Sequence, residues 1–216
     1  MKKNIIYVAT ALLMTQFMFS CGGEKTKTET KEVKQEQPKA QMIKKSVSVN
    51  TETSVLNWRA NKVVGGHEGT CSLEKGTVNL VDNKVVGGEF TFDIASIKVT
   101  DVTEEEDNKE IVGHLLNEDF FDATKHPKAY FTVTSVKGDM MSGNLKMKDV
   151  EKPISFKMNT SVKGNMFSLT SEKFEIDRTK WGITYNSGSF FDAAKLGNYM
   201  IKDAIEITVS VQGQLK

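Results

Sequence analysis

The sequence has little of what most catalytic, metal and nucleic-acid sites need. It contains three histidines and two cysteines, and its 216 residues carry a formal net charge of +1. There is no basic excess and no basic patch interleaved with aromatic residues, so we expect no nucleic-acid partner. His67, His114 and His126 form no closely spaced metal-ligand pair, and no Gly-x-Ser-x-Gly elbow occurs. We therefore predict no catalytic residues, no metal and no required cofactor.

The N-terminal residues are typical of an export signal. Two lysines precede an apolar run at 5–19, which is too short to cross a bilayer and ends in small residues. Cys21 follows directly, at the acceptor position for the diacylglyceryl group of bacterial lipoproteins. A plain signal with an incidental cysteine is the alternative. We predict a lipoprotein signal peptide at 1–20 and a protein that is lipid-anchored at Cys21 in the bacterial cell envelope, on a periplasmic or outer-membrane face.

The two cysteines exclude a disulfide within the mature chain if Cys21 is acylated. Cys71 then remains alone, in a strand-like stretch, and we expect it to be a small buried apolar residue. Residues 21–45 consist mainly of Lys, Glu, Thr and Gln. Such a segment cannot bury enough apolar surface to offset its ordering entropy, so it is predicted to be a disordered tether. Residues 46–216 have the length of one domain with a sizeable core.

Alternating apolar and polar residues predict that this domain is antiparallel β. Leu56, Trp58 and Ala60 share one parity, and the same pattern runs through 90–94 and 205–211. Further candidate strands lie at 70–81, 128–137, 143–148, 153–162 and 167–176. Turn signals separate them at 82–83, 138–139, 149–151 and 163–165. Strands of about eleven residues would be roughly 35 Å long. Eight or more of that length favour an elongated closed barrel over a sandwich.

Two segments depart from this alternation. Residues 103–117 combine an acidic first turn with apolar residues at helical spacing, which predicts a helix. Residues 186–202 form a long apolar connection, and such a connection is usually functional or packed on a core. The tripeptide Phe-Phe-Asp follows the helix at 120–122 and recurs in the connection at 190–192. Each copy is either a plug on the end of the core or part of the mouth of an apolar cavity.

Five motifs together resemble the YceI-like family of exported lipocalin-like barrels that bind polyisoprenoid or other long-chain lipids. They are KVVGGHEG at 62–69, GHLLNEDFFD at 113–122, HPKAYF at 126–131, DRTKWGI at 177–183 and SGSFFD at 187–192. The resemblance covers about 49–214. It implies an elongated eight-stranded antiparallel barrel around an apolar tunnel. Lys148-Asp149-Val150 stands where the family usually has a glycine-containing turn, which leaves the geometry of that hairpin open.

The resemblance also implies a ligand and a set of tunnel residues. The expected ligand is an apolar long-chain lipid, with an isoprenoid quinone or a polyisoprenoid lipid as the bound molecule. The expected wall or mouth of the tunnel consists of Trp58, His67, Phe90, Phe92, His114, Leu115, Phe120, Phe121, Phe131, Phe174, Trp181, Phe190 and Phe191.

Several of these residues have a structural alternative. His67 and His114 could make structural hydrogen bonds, and His126 is expected to be exposed. Arg178 and Trp181 are expected to form a structural pair, with the guanidinium packed over the indole. Two other functions remain open: a filled barrel that serves as an interaction module of the cell envelope, and an enzyme that uses the histidines.

Overall fold

The strands and helices lie within residues 42–216, which are the residues that the computed structural model describes. The predicted signal peptide, Cys21 and most of the tether fall outside this range, although the first strand begins at Lys44, inside the predicted tether. In chain order the elements are β1 Lys44–Val49, β2 Val55–Lys62, β3 Gly66–Val81, β4 Lys84–Val99, α1 Glu105–Leu116, β5 Lys128–Lys137, β6 Met140–Met147, β7 Val150–Lys163, β8 Met166–Ser171, β9 Phe174–Asp177, a 3-10 turn Arg178–Trp181, α2 Ala193–Leu196, a 3-10 turn Gly197–Tyr199 and β10 Ile201–Leu215.

The ten described strands occupy eight positions in one closed antiparallel ring. Successive strands from β2 to β8 are hydrogen-bonded neighbours, and β10 closes the ring between β8 and β2. β1 and β2 share one position, because both pair with successive parts of β3 and β10. β8 and β9 likewise pair with successive parts of β10, at 210–214 and 204–207. The predicted eight-stranded barrel is confirmed, and the single strand expected at 167–176 is interrupted at residues 172–173.

The hairpin between β6 and β7 lacks glycine but keeps a two-residue turn. Lys148 and Asp149 have φ values of 48° and 61°, the left-handed conformation that such hairpins require at both central positions. The turn expected at 149–151 is therefore displaced, and β7 already begins at Val150. The Lys148 ammonium group donates hydrogen bonds to the carbonyl oxygens of Glu118 and Phe120. Its burial lowers the pKa of Lys148. The turn is thereby tied to the first Phe-Phe-Asp segment.

The predicted helix is confirmed as α1, which follows β4 at one end of the barrel. Its first turn carries Glu105, Glu106 and Asp107, where the helix dipole favours negative charge. The Asn108 side-chain amide donates to the carbonyl oxygens of Val99 (2.9 Å) and Val102 (2.8 Å). These two bonds fix the start of the helix against the end of β4.

Four phenylalanine rings fill one half of the barrel interior. The ring centroids of Phe90 and Phe131 are 6.3 Å apart, those of Phe131 and Phe156 are 5.6 Å apart, and those of Phe156 and Phe174 are 4.5 Å apart. Gly143 makes room for this aromatic stack, because a Cβ atom at this position would lie 2.5 Å from Cζ of Phe131. The stack belongs to a hydrophobic core cluster that extends from Val47 to Leu215 in the described part of the chain.

Replacing Phe156 by alanine should remove the middle of the aromatic stack. We expect the free energy of unfolding to fall by about 3–5 kcal/mol, the usual cost of a buried Phe→Ala change. Phe190→Ala is the matched control, because the Phe190 ring is exposed and such changes usually stay within about 0.5 kcal/mol. Urea unfolding measures both. A loss below about 1 kcal/mol for Phe156→Ala would contradict the packing described.

Candidate ligand-binding cavity

An apolar cavity of about 530 Å³ lies inside the barrel, at the end that carries α1 and the β2–β3 turn. Its volume falls within the range of about 300–1,000 Å³ that is usual for small-molecule sites. The strands contribute most of its wall: Leu56, Trp58, Ala60, Lys62, His67, Cys71, Phe92, Ile94, Ile97, Ala129, Leu145, Met147, Ile176, Ile201, Ile205 and Ile207. The helix and the connections complete it with Glu110, Ile111, His114, Leu115, Phe120, Phe121, Arg178, Ile183, Tyr185, Asn186 and Tyr199.

The aromatic stack closes the inner end of this cavity. A second cavity of about 50 Å³ lies among the four stacked rings and shares Leu56, Phe92, Leu145 and Ile207 with the large one. The barrel interior is therefore open in the half next to α1 and filled in the other half. The expected open interior is found in one half of the barrel, and the filled interior that was the alternative is found in the other half.

The predicted site residues separate into three groups. The large cavity is lined by Trp58, His67, Phe92, His114, Leu115, Phe120 and Phe121. The stack and its small cavity contain Phe90, Phe131 and Phe174. Trp181, Phe190 and Phe191 line neither of these two cavities. Ligand binding by any of these residues stays a prediction.

The first Phe-Phe-Asp segment is part of the cavity wall. The backbone N–H of Phe121 donates to the Leu115 carbonyl oxygen (3.1 Å), which folds the segment back onto the end of α1. The Phe120 ring is buried, with its centroid 4.9 Å from that of His114 and 5.3 Å from that of Tyr185. Plug and mouth are therefore the same thing here, because the ring that closes the core also borders the cavity.

The second Phe-Phe-Asp segment does not line the cavity, so Phe190 and Phe191 are not wall residues, and only the predicted place beside the mouth stays open for them. Their backbone N–H groups both donate to the Ser187 carbonyl oxygen, in a tight turn that leaves both rings exposed. The Asp192 carboxylate accepts a hydrogen bond from the Ala194 N–H (3.0 Å) and so caps the short helix α2. Backbone and capping bonds thus set the course of this segment.

Arg178 holds the base of the 182–200 segment. Its guanidinium is buried and donates to three carbonyl oxygens, those of Ile183 (2.9 Å), Ile201 (3.0 Å) and Lys202 (3.2 Å). Burial lowers the pKa of Arg178, and the carboxylate of Asp203, 3.7 Å away, opposes that effect. The expected structural role is confirmed, but it operates through carbonyl contacts that join the segment to β10.

Trp181 is a core residue and not a cavity residue, which corrects its predicted place. Its ring is buried, and the indole N–H donates to the carbonyl oxygen of Leu145 (3.1 Å). No guanidinium–indole stacking is found for Arg178 in the described part of the chain. The indole is turned toward β6, whereas the guanidinium is directed at the backbone of β10 and its preceding loop.

Two polar side chains of the cavity wall, His67 and Lys62, contact each other. His67 lies with Nδ1 3.2 Å from the Asp101 carboxylate and Nε2 3.5 Å from the Lys62 ammonium nitrogen. Because an ammonium group can only donate, Nε2 is the acceptor and the proton is assigned to Nδ1. Burial tends to raise the pKa of Asp101, but the hydrogen bonds from the Glu68 N–H and from His67 outweigh it and lower that pKa. This chain of contacts places one ammonium group at the edge of the cavity.

The other two histidines also face carboxylates. His114 Nε2 is 3.0 Å from Asp119, and the His114 ring borders the cavity. His126 is half-buried with Nδ1 3.2 Å from Asp149, so its expected exposure is wrong. The N–H of His126 donates to the Asp122 carbonyl oxygen (2.8 Å), a turn that brings the ring under the β6–β7 hairpin. Within residues 42–216, no three His, Cys, Asp or Glu side chains lie close enough to hold a metal ion.

Several residues of the cavity wall were not among the predicted site residues. Tyr185 and Tyr199 lie in the connection before β10, and Ile111 shares the inner face of α1 with Leu115. The four-residue spacing of Ile111 and Leu115 was a usable signal, because residues at this spacing share one helix face. Nothing in the local pattern distinguishes Ala129, although its small side chain leaves volume for the cavity.

Cys71 lies in the cavity wall as a buried thiol, as predicted. Burial raises the pKa of Cys71 to about 11, aided by the negative charge of Asp93 and opposed by a hydrogen bond with Ser96. The folded protein therefore keeps the thiol neutral at a pH where the unfolded chain, with an ordinary pKa of 9.0, releases its proton. The stability that comes from this difference is present below pH 9 and is lost as the pH rises toward 11.

We predict that the free energy of unfolding falls more steeply with pH in the parent than in Cys71→Ala. Between pH 8 and pH 11 the additional loss should approach about 2–3 kcal/mol, at 1.36 kcal/mol per pKa unit. Urea unfolding at successive pH values measures the difference, and titrations shared by both proteins cancel. Identical pH dependence in the two proteins would contradict the neutral buried thiol.

Comparison with known proteins indicates the family of this chain. The model of the YceI-like domain matches residues 47–213. BcnA of Burkholderia cenocepacia is similar in structure, with 18% sequence identity, a TM-score of 0.59 and coverage of 76% of this chain and 98% of BcnA. A polyisoprenoid binding domain from Saccharophagus degradans, implicated in plant cell wall breakdown, has 13% identity and a TM-score of 0.57, with coverage of 79% and 98%.

These structural likenesses, at such low identity, support the fold alone. The curated proteins gave no sequence match. In the described residues, no helix is both long enough and apolar enough to cross a membrane. The family model covers well over half of the sequence and includes nearly all of the barrel. The chain therefore belongs to the YceI-like family.

Proposed function

We propose that this protein binds a long-chain apolar lipid, with an isoprenoid chain as the favoured class, and carries or sequesters it. The observation that carries this proposal is the cavity next to α1, whose wall is largely apolar and whose inner end is closed by the aromatic stack. Each methylene that leaves water for such a site contributes about 0.8 kcal/mol. A chain with about ten buried carbons gains roughly 8 kcal/mol before the costs of association.

The distribution of polar groups favours an amphiphile over a hydrocarbon. Lys62 and His67 lie at the β2–β3 end of the wall. Asn186, the first residue of the 186–202 connection, also lines the cavity. The aromatic stack at the other end offers only apolar atoms. We infer that the lipid chain points toward Phe92 and the stack, and that a polar headgroup stays near Lys62 and His67.

Two related comparisons make isoprenoids the first ligands to test. The chain belongs to the YceI-like family. The similar domain from Saccharophagus degradans is described as a polyisoprenoid binding domain. An isoprenoid quinone is a suitable probe, because it combines a branched apolar chain with a polar head.

Binding explains the cavity better than the two competing functions. A filled interaction module would need no cavity of this size beside the aromatic stack. His67 and His114 each contact a carboxylate, that of Asp101 and that of Asp119, and such a contact also orients the histidine of many enzymes. The preference for binding therefore rests on the apolar cavity, and we assign the two histidines to the shaping of its edge.

We further propose that the protein is anchored to a membrane of the cell envelope through acylated Cys21. The barrel begins with Lys44, which pairs with Val81 at the end remote from the cavity. β3 has 16 residues and spans roughly 50 Å. The stretch 22–43 has a maximum reach of about 75 Å at full extension. The linking segment is thus long enough for the cavity end to meet the same membrane.

Filling the cavity should abolish lipid uptake without unfolding the barrel. Ala129 is buried in the wall beside Phe92, and Ala129→Phe should place a ring in the space proposed for the ligand. We expect the uptake of an isoprenoid quinone by Ala129→Phe to fall at least about tenfold. Native mass spectrometry measures this uptake. Ala129→Ser is the control at the same position and should keep uptake. Equal uptake by both variants would contradict the site.

The anchor is tested by metabolic labelling. With radiolabelled palmitate supplied to producing bacteria, the parent should incorporate label and sediment with membranes, because its acyl chains reside in the bilayer. Cys21→Ser should incorporate none. An unlabelled parent, or label retained in Cys21→Ser, would overturn the anchoring proposal and leave the lipid-binding proposal standing.

A further inference from the structure

Large apolar side chains are exposed around the mouth of the cavity. They are Val63, Val64, Phe190, Phe191 and Tyr199, with exposed fractions of 50%, 68%, 60%, 53% and 77%. We call these five residues the apolar rim. They make up half of the exposed large apolar residues in the described part of the chain. Such a concentration of exposed apolar side chains beside one opening is typical of a surface that contacts a protein or a membrane.

The rim is one continuous feature, although it comes from two segments. The Val63 N–H donates to the Met200 carbonyl oxygen (3.2 Å), which joins the β2–β3 turn to the residue after Tyr199. The Ile201 N–H donates to the Asn186 carbonyl oxygen (2.9 Å), next to the turn that carries Phe190 and Phe191. Tyr199 and Asn186 also line the cavity. Tyr199 therefore connects the rim to the wall of the cavity, and the other four residues lie on segments hydrogen-bonded beside it.

The base of the rim is fixed, so the exposed rings are held in place. Ser187 is fully buried and its carbonyl oxygen accepts the N–H groups of Phe190 and Phe191. The Arg178 guanidinium ties Ile183 and Ile201, which flank the segment, by hydrogen bonds of 2.9 and 3.0 Å. With both ends fastened, the rings stay outside the barrel despite the apolar cavity beside them.

We propose that the apolar rim docks on a lipid bilayer, with Phe190 and Phe191 inserted at the boundary between headgroups and acyl chains. Phe, Trp and Leu are the apolar side chains with which interfacial helices insert at that boundary. The inference goes beyond the proposed function but rests on it in one respect, that the cavity takes a lipid chain. A lipid chain that passes from the bilayer to the cavity through this rim avoids exposing its apolar methylenes to water.

Two observations favour a bilayer over a protein partner. The rim is continuous with the mouth of an apolar cavity, so one surface would serve both docking and lipid transfer. The chain enters the barrel at the opposite end, at Lys44, and the length of 22–43 allows the rim to face an anchoring membrane. A protein partner is then an alternative outcome of the experiment.

The experiment uses the protein from residue 21 onward with Cys21→Ser, so that no acyl chain can be attached, and vesicles of phosphatidylethanolamine and phosphatidylglycerol. We expect the barrel to sediment with the vesicles without an acyl anchor. The double variant Phe190→Ser/Phe191→Ser should lower the partition coefficient at least about tenfold, with an unchanged urea midpoint. The matched control is Val86→Ser/Met166→Ser, two residues that are 51% and 50% exposed at the other end of the barrel. It should bind like the parent.

A second readout separates this proposal from lipid binding itself. Uptake of an isoprenoid quinone from cyclodextrin, with no vesicle present, should be the same in the parent and in both double variants. Quinone uptake without vesicle binding by the parent overturns bilayer docking and points to a protein partner. Vesicle binding that the Phe190→Ser/Phe191→Ser change leaves intact also overturns it. Phe190- and Phe191-dependent vesicle binding without quinone uptake supports docking and defeats the lipid-binding function.

Discussion

The stack of Phe90, Phe131, Phe156 and Phe174 is the packing constraint on which the rest of the structure depends. A ring of eight strands encloses a width that side chains can just fill or that can hold one small ligand. The four rings fill this width in one half of the barrel. Above them the wall includes small side chains such as Ala60 and Ala129, and a cavity of about 530 Å³ lies there. The position of the stack therefore sets the depth of the site.

The two Phe-Phe-Asp segments show that the same tripeptide can be buried in one place and exposed in another. At 120–122 the free carbonyl groups at the end of α1 accept its N–H groups, and Lys148 donates to the Phe120 carbonyl oxygen from the opposite hairpin. That segment becomes wall. At 190–192 the acceptor is the buried Ser187, and the rings stay exposed. The hydrogen-bond acceptors nearby, and not the tripeptide, decide which rings are buried.

Much of the fold could be predicted from the sequence, because most strands alternate locally and α1 carries its own acidic start, but β1 was not predicted. The division of the interior could not be predicted. Phe90 and Phe92 have the same parity in β4, yet only Phe92 reaches the large cavity. Their difference is a position along the barrel axis, which depends on strand registers set by long-range pairing. Trp181 was misplaced for the same reason, since its partner Leu145 lies 36 residues away.

The lipid site is tested most directly by a crystal structure of the protein with an isoprenoid quinone that carries a bromine atom at the end of its chain. Anomalous scattering then locates the chain end independently of the fit of the lipid. If the lipid chain ends at the aromatic stack, bromine will lie within the cavity beside Phe92, and the rings of Phe131 and Phe156 will keep the packing described above. Bromine beyond Phe156, on the outer surface, or absent at saturating quinone would contradict a lipid site closed by the aromatic stack.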